Sequence, residues 1–138
     1  MGSFRRRAPV ITAVAAGGVL GAEARYALTL LQGDAATFPW ATFVINVVGC
    51  VSIGVLMVVL LDLTSPHRLA RPFLGVGVLG GFTTFSTYAV DIQAMLVDGR
   101  SLAALGYLAL TPVAALVGVW AGAAATRALI RHRRGEAS

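Results

Sequence analysis

Gly80-Gly81-Phe82-Thr83-Thr84-Phe85-Ser86-Thr87-Tyr88 lies inside a long apolar segment, yet it reads like a loop. Two adjacent glycines weaken a helix, each costing about 1 kcal/mol against alanine. Thr83, Thr84, Ser86, Thr87 and Tyr88 then crowd hydroxyls into the next turn. In water this is a Ser/Thr-rich turn. In a bilayer a broken backbone is tolerated only where protein buries it or a water-filled cavity meets it. The fold therefore depends on whether this stretch lies in a membrane, and the composition answers that it does. The chain is 57% hydrophobic and 12% charged, with a mean hydropathy of +0.81, where a soluble domain carries about 25% charged residues.

A span needs about 20 apolar residues at 1.5 Å rise per residue. Four runs meet that length: 9–31, 38–61, 69–97 and 101–128. Pro9 and Pro39 stand where prolines suit a helix start. The links 32–37, 62–68 and 98–100 are short, and a basic tail follows from Arg131. The expected architecture is a single all-α integral membrane domain over 1–138, with four transmembrane helices and the third one broken.

The net charge of +5 comes from eleven arginines and no lysine. On a soluble chain that balance would suggest nucleic acid. Here the arginines gather at the chain ends and in the second link, where membrane orientation explains them and no nucleic-acid partner is implied. Arg5, Arg6, Arg7, Arg68, Arg71, Arg127, Arg131, Arg133 and Arg134 fall on one face of a four-span chain, against Arg100 and Arg25 on the other. The positive-inside rule then places both termini in the cytoplasm. No cleavable signal peptide is evident, since the first apolar run is too long for an h-region.

Polar residues inside spans are expensive and read as functional by default. Glu23, Arg25 and Asp91 are the charged ones. Arg25 has two readings, an interfacial anchor and a pore vestibule. Asp91 follows Tyr88 by three residues and Thr87 by four, so the three share a helix face. Thr42 and Asn46 form an i,i+4 pair opposite the broken stretch, and Tyr107 and Thr111 form another. Gly17/Gly21 and Gly118/Gly122 are GxxxG pairs suited to close helix contact, while Gly77/Gly81 are expected to belong to the break. The lone Cys50 excludes an intrachain disulfide. Gly75-Val76-Gly77-Val78-Leu79-Gly80 matches GxGxxG, but it lacks the strand and βαβ context that a dinucleotide site requires. His67 and His132 lie in a link and the tail, and no nucleophile–base set is visible, so the chain is not expected to be an enzyme.

Three motifs in order resemble the small bacterial fluoride channels of the CrcB or Fluc family: Gly21-Ala22-Glu23-Ala24-Arg25-Tyr26 (GAxxRY), Thr42 to Gly49 (TxxxNxxG) and Gly80 to Thr87 (GGxTTFST). The resemblance covers all four spans. It implies an antiparallel, dual-topology dimer in the bacterial cell membrane with two fluoride pores. It also implies a structural Na⁺ at the dimer centre, not transported, held by the carbonyls of Gly80 and Thr83. Asn46, Phe85 and Tyr88 become pore residues, with hydroxyls such as Thr42 and Ser86 beside them. Tyr107 and Thr111 match a polar track in the fourth helix. The implied activity is passive efflux of F⁻ that entered as HF. Two positions depart from the family pattern: Tyr88 stands where a second phenylalanine is usual, and Ala115 where a hydroxyl is frequent.

The arginine bias, nine against one or two, favours insertion in one orientation, and hence pairing with an oppositely oriented paralogue. In that arrangement this subunit is half-active or non-conducting. A proton-coupled multidrug exporter, also an antiparallel dimer of four-helix subunits, needs a mid-span carboxylate in the first helix. Glu23 lies late for that role, and the exporter leaves all three motifs unexplained.

Overall fold

The structure is a computed structural model that describes residues 2–31, 38–63 and 67–135. The links expected over 32–37 and at 64–66, and the last residues of the tail, lie outside them. Helix α1 runs Gly2–Thr29 and α2 runs Trp40–Val58, the latter continuing as a π-helical turn over Val59–Leu63. The third segment is composite. Pro72–Leu79 is π-helical, α3 (Gly80–Phe82) adds a short α-helical turn, and α4 follows as Phe85–Val97. Between α3 and α4, Thr83 (φ −75°, ψ 152°) and Thr84 (φ −145°, ψ 120°) are extended. Helix α5 runs Ser101–Gly135.

Two helices are longer than the sequence suggests. α1 begins seven residues before Pro9, which therefore lies inside the helix and not at its start. The fixed φ of proline suits a helix, and the cost is one backbone bond to the residue four before it. α5 likewise carries Pro112 internally and continues through 131–135, beyond the expected end of the fourth span. Pro39 does precede α2 directly, as its N-cap residue.

The turn between α4 and α5 is set by local chemistry. Gly99 adopts φ +73°, the left-handed conformation that glycine reaches without steric cost. Its amide reaches the Leu96 carbonyl at 3.1 Å and the Arg100 amide reaches that of Met95 at 2.9 Å, the paired bonds of a Schellman stop.

α1 packs on Pro72–Leu79 and α3, while α2 and α4 pack on α5. Small residues make both contacts close. A side-chain carbon at Gly17 would run into the Phe73 carbonyl, and one at Gly81 into that of Gly18. Gly77 meets Gly17 in the same way. Gly77 and Gly81, expected from sequence to belong to the helix break, are thus packing positions against α1. Gly54 and Gly122 do the same for α2 on α5.

Trp40–Leu61, Pro72–Val97 and Ser101–Arg133 are long and apolar enough to cross a membrane. α1 is not among them: Glu23 and Arg25 break into its apolar run near the C-terminal end. Much of the outer surface is apolar, with Leu102, Leu116, Trp120 and Val76 exposed. Water would oppose such a surface and lipid accepts it, so the chain is a multi-pass membrane protein.

Candidate functional site

The extended pair Thr83–Thr84 is held by one side chain from α2. Asn46 Nδ2 donates to the Thr84 carbonyl at 3.0 Å, and the Thr84 amide donates to Asn46 Oδ1 at 2.8 Å. Both residues are buried. The carboxamide thus supplies the donor and acceptor that a continuing helix would have provided. An unpaired buried backbone group costs about 1–3 kcal/mol, so this clamp makes the break tolerable inside apolar surroundings.

Thr84 also starts the next helix. Its Oγ1 accepts from the Thr87 amide at 3.1 Å and lies 3.0 Å from Thr87 Oγ1. The Ser86 hydroxyl is 3.3 Å away. This is an N-cap, one of the motifs that satisfy the orphan amides of a first helical turn. Thr84→Ala is expected to lower stability by about 1 kcal/mol, with Thr84→Ser close to the parent. Thermal unfolding in detergent checks this, and equal melting of all three proteins would contradict the cap.

The end of α3 is capped differently at each carbonyl. The Leu79 carbonyl accepts from both the Thr83 amide, at 3.0 Å, and the Thr83 hydroxyl, at 2.9 Å. Arg25 Nε reaches across from α1 to the Gly81 carbonyl at 3.2 Å. Arg25 thus reaches the break from α1. The amide that would close the turn onto Gly80 is that of Thr84, which is diverted to Asn46. Gly80 itself is exposed.

On the other side of the break a cleft of about 450 Å³ opens to the surface. Its walls include Asn46, Thr84, Phe85, Tyr88, Thr111 and Ala115. The Phe85 and Tyr88 rings are 5.6 Å apart at 52°. They differ in setting, since Phe85 is 81% exposed and Tyr88 only 6%. Three positions along a helix place them side by side at the edge of the buried face. Tyr88 Oη donates to the Leu108 carbonyl at 2.6 Å. Thr111 is buried, lies beside Tyr107, and its hydroxyl makes no hydrogen bond of good geometry.

A second polar group lies deeper. Tyr107 is fully buried, 5.2 Å ring to ring from Tyr88. Its hydroxyl is 3.4 Å from Asp91 Oδ2, with the buried Thr42 beside both. The structure thus gathers Asn46, Phe85, Tyr88, Thr111 and Thr83 around one cleft and sets Thr42, Tyr107 and Asp91 behind it. Ser86 is exposed and outside the cleft wall, and Glu23 is exposed on α1.

Sequence reasoning missed the hub role of Thr84 and the link from Tyr88 to Leu108. Both left signals: a threonine directly before a helical run reads as an N-cap, and Pro112 marks Leu108 as a residue whose carbonyl lacks a helical donor.

The family model described as CrcB-like protein, Camphor Resistance (CrcB), matches residues 12–123. A protein named fluoride-specific ion channel FluC 1 from Streptomyces coelicolor is 54% identical over 132 residues, covering 95% of this chain and 86% of its own length. A FluC 2 from Streptomyces avermitilis is 57% identical over 110 residues, with 79% of this chain and 70% of its own covered. A FluC 2 from Nocardia farcinica is 53% identical over 119 residues, with 86% and 85% covered. With a match over the break, the clamp and the cleft together, the chain belongs to the CrcB family.

Proposed function

We propose that this chain is a subunit of a fluoride channel, the activity its relatives' names state for them, and that it lets F⁻ leave the cytoplasm passively. The observation that carries this reading is the cleft at the helix break. Its walls bring together side chains that carry hydrogen-bond donors and the rings of Phe85 and Tyr88, and among the described residues none that lines it is Asp, Glu, Lys or Arg. A small anion needs replacement of its water shell without being trapped by a fixed cation. The unspent Thr111 hydroxyl is one donor. A carboxamide has two N–H bonds, and Asn46 commits one of them to Thr84. The hydrogen-bearing edges of Phe85 and Tyr88 carry the positive end of the ring quadrupole. Thr42 and Tyr107 extend the polar path behind this wall.

In this reading α1 is the first of four crossings and the chain pairs antiparallel with a second subunit, which covers the exposed Phe85. The carbonyls of Gly80 and Thr83 would hold a structural Na⁺ at the dimer centre. The residues suit it: hard cations take oxygen ligands, Gly80 is exposed, and the amide that would otherwise occupy its carbonyl is diverted to Asn46. When bound, the ion supplies a positive charge that ties the two broken helices together. Both termini face the cytoplasm. The arginine distribution favours a second form of this reading, in which the partner is an oppositely oriented paralogue and this chain contributes half of a working channel.

Reconstitution into liposomes loaded with fluoride, followed with a fluoride electrode, tests the proposal. Rapid efflux is expected from the chain, alone or together with an oppositely biased paralogue. Robust efflux from the chain alone would end the obligate-heterodimer form. Proton-driven drug export with no fluoride flux in either case would end the channel reading. Replacing Na⁺ by N-methylglucamine on both sides is expected to reduce flux, and unchanged flux after exhaustive exchange would remove the structural ion.

A further inference from the structure

Pro112 lies inside α5. Proline has no amide hydrogen, so the carbonyl four residues earlier, that of Leu108, loses its helical donor. Inside a membrane no water replaces that donor. The structure fills the gap from another helix: Tyr88 Oη, on α4, donates to the Leu108 carbonyl at 2.6 Å. Phenylalanine has no group to do this. Tyr88 itself is only 6% exposed.

The same ring is part of the proposed ion path. It lies 5.6 Å from Phe85 and 5.2 Å from Tyr107, and Tyr88 and Pro112 both line the cleft with Thr111. A hydroxyl anchored at one end fixes the direction of the ring axis, and so holds the ring in its place beside the cleft. It also turns the phenolic oxygen, a group whose lone pairs would repel an anion, towards the α5 backbone.

We propose that Tyr88 and Pro112 act as a pair, in which the carbonyl exposed by Pro112 latches the Tyr88 hydroxyl and makes Tyr88 a positioning residue for the aromatic wall of the fluoride path. The positioning role rests on the fluoride-channel reading; the latch itself does not. Tyrosine in place of a second phenylalanine is then neither a blocked pore nor an extra ligand.

The test is a double-mutant cycle of the parent, Tyr88→Phe, Pro112→Ala and the double variant. Each is measured by thermal unfolding and, in liposomes under the conditions in which the parent conducts, by fluoride and chloride efflux. Tyr88→Phe is expected to lower the melting temperature by several degrees in the Pro112 background. It should lower it far less in the Pro112→Ala background, where the restored amide closes onto the Leu108 carbonyl. Equal losses in both backgrounds would overturn the latch. Loss of the anchor is also expected to slow fluoride efflux about tenfold, the scale of a misplaced positioning group, and to raise the chloride-to-fluoride flux ratio. Tyr88→Phe with unchanged or faster flux and an unchanged ratio would overturn the positioning role even if the melts couple. Should the parent pass no fluoride with any partner, the channel reading and the positioning role fail together, while the coupling of the melts still decides the latch.

Discussion

Asn46→Asp is expected to cut fluoride efflux about 100-fold, the effect of a like-charge contact worth a few kcal/mol. The substitution changes little in volume, so its effect is electrostatic. The introduced carboxylate keeps an acceptor for the Thr84 amide, now 2.8 Å from Asn46 Oδ1. At the other position an oxygen replaces Nδ2 and faces the Thr84 carbonyl across about the present 3.0 Å, so two acceptors oppose each other. The new charge also stands in the wall of a cleft proposed to pass an anion. Two outcomes separate these effects. If the charge is what matters, flux recovers as the pH falls, because a protonated carboxyl donates to the Thr84 carbonyl as the carboxamide does. If flux stays low at every pH while the protein melts normally, the second N–H of the Asn46 amide is the group that the ion needs. Unchanged flux at neutral pH would remove Asn46 from the path.

The membrane character of the chain was legible because it is a property of sums: few charges, many apolar residues, and runs of the right length. The stop after α4 was legible because Asp98-Gly99-Arg100 carries its own turn chemistry in a single glycine. Asn46 and the Gly80–Tyr88 stretch could be paired from sequence only as facing neighbours, through the family resemblance and the helical spacing of Thr42 and Asn46. The form of the pairing, a side-chain amide acting as a piece of backbone, was not legible. It depends on Thr83 and Thr84 both being extended, and no local preference of threonine dictates that inside an apolar helix. The continuation of α1 to Gly2 was missed for a related reason. Arg5–Arg7 and Pro9 read as the edge of a span, and an edge in hydrophobicity need not be an edge in hydrogen bonding. Tyr88 shows the limit most directly. Judged against the family pattern it was only a departure, a tyrosine where a second phenylalanine is usual. The structure gives its hydroxyl a destination, the Leu108 carbonyl, set by a proline 24 positions further along the chain.

Gly21→Val is expected to be strongly destructive although it lies outside the cleft. Gly21 is buried on α1, and any side-chain carbon there would run into the Val78 carbonyl and crowd the Phe82 amide. The obstacle is backbone on both counts, so no rotamer change relieves it. α1 would have to move away from Pro72–Leu79 and α3. That movement would also open the paired contacts at Gly17, Gly77 and Gly81, which share the same face. Overpacking a core costs about 1–3 kcal/mol and more where the neighbours cannot yield, so the cost here is set at about 3 kcal/mol or above. There is a functional consequence as well. Arg25 is one turn beyond Gly21 and reaches the Gly81 carbonyl only while α1 lies close, so separation of the helices uncaps α3 next to the proposed Na⁺ site. Gly106→Ala is the matched control, because a carbon there meets nothing within 4 Å and alanine is the better helix former by about 1 kcal/mol. Measured by thermal unfolding and size-exclusion chromatography in detergent, Gly106→Ala should match or exceed the parent, while Gly21→Val should aggregate or melt far below it. A Gly21→Val protein as stable as the Gly106→Ala control would mean that α1 does not pack on the third helix through its glycines.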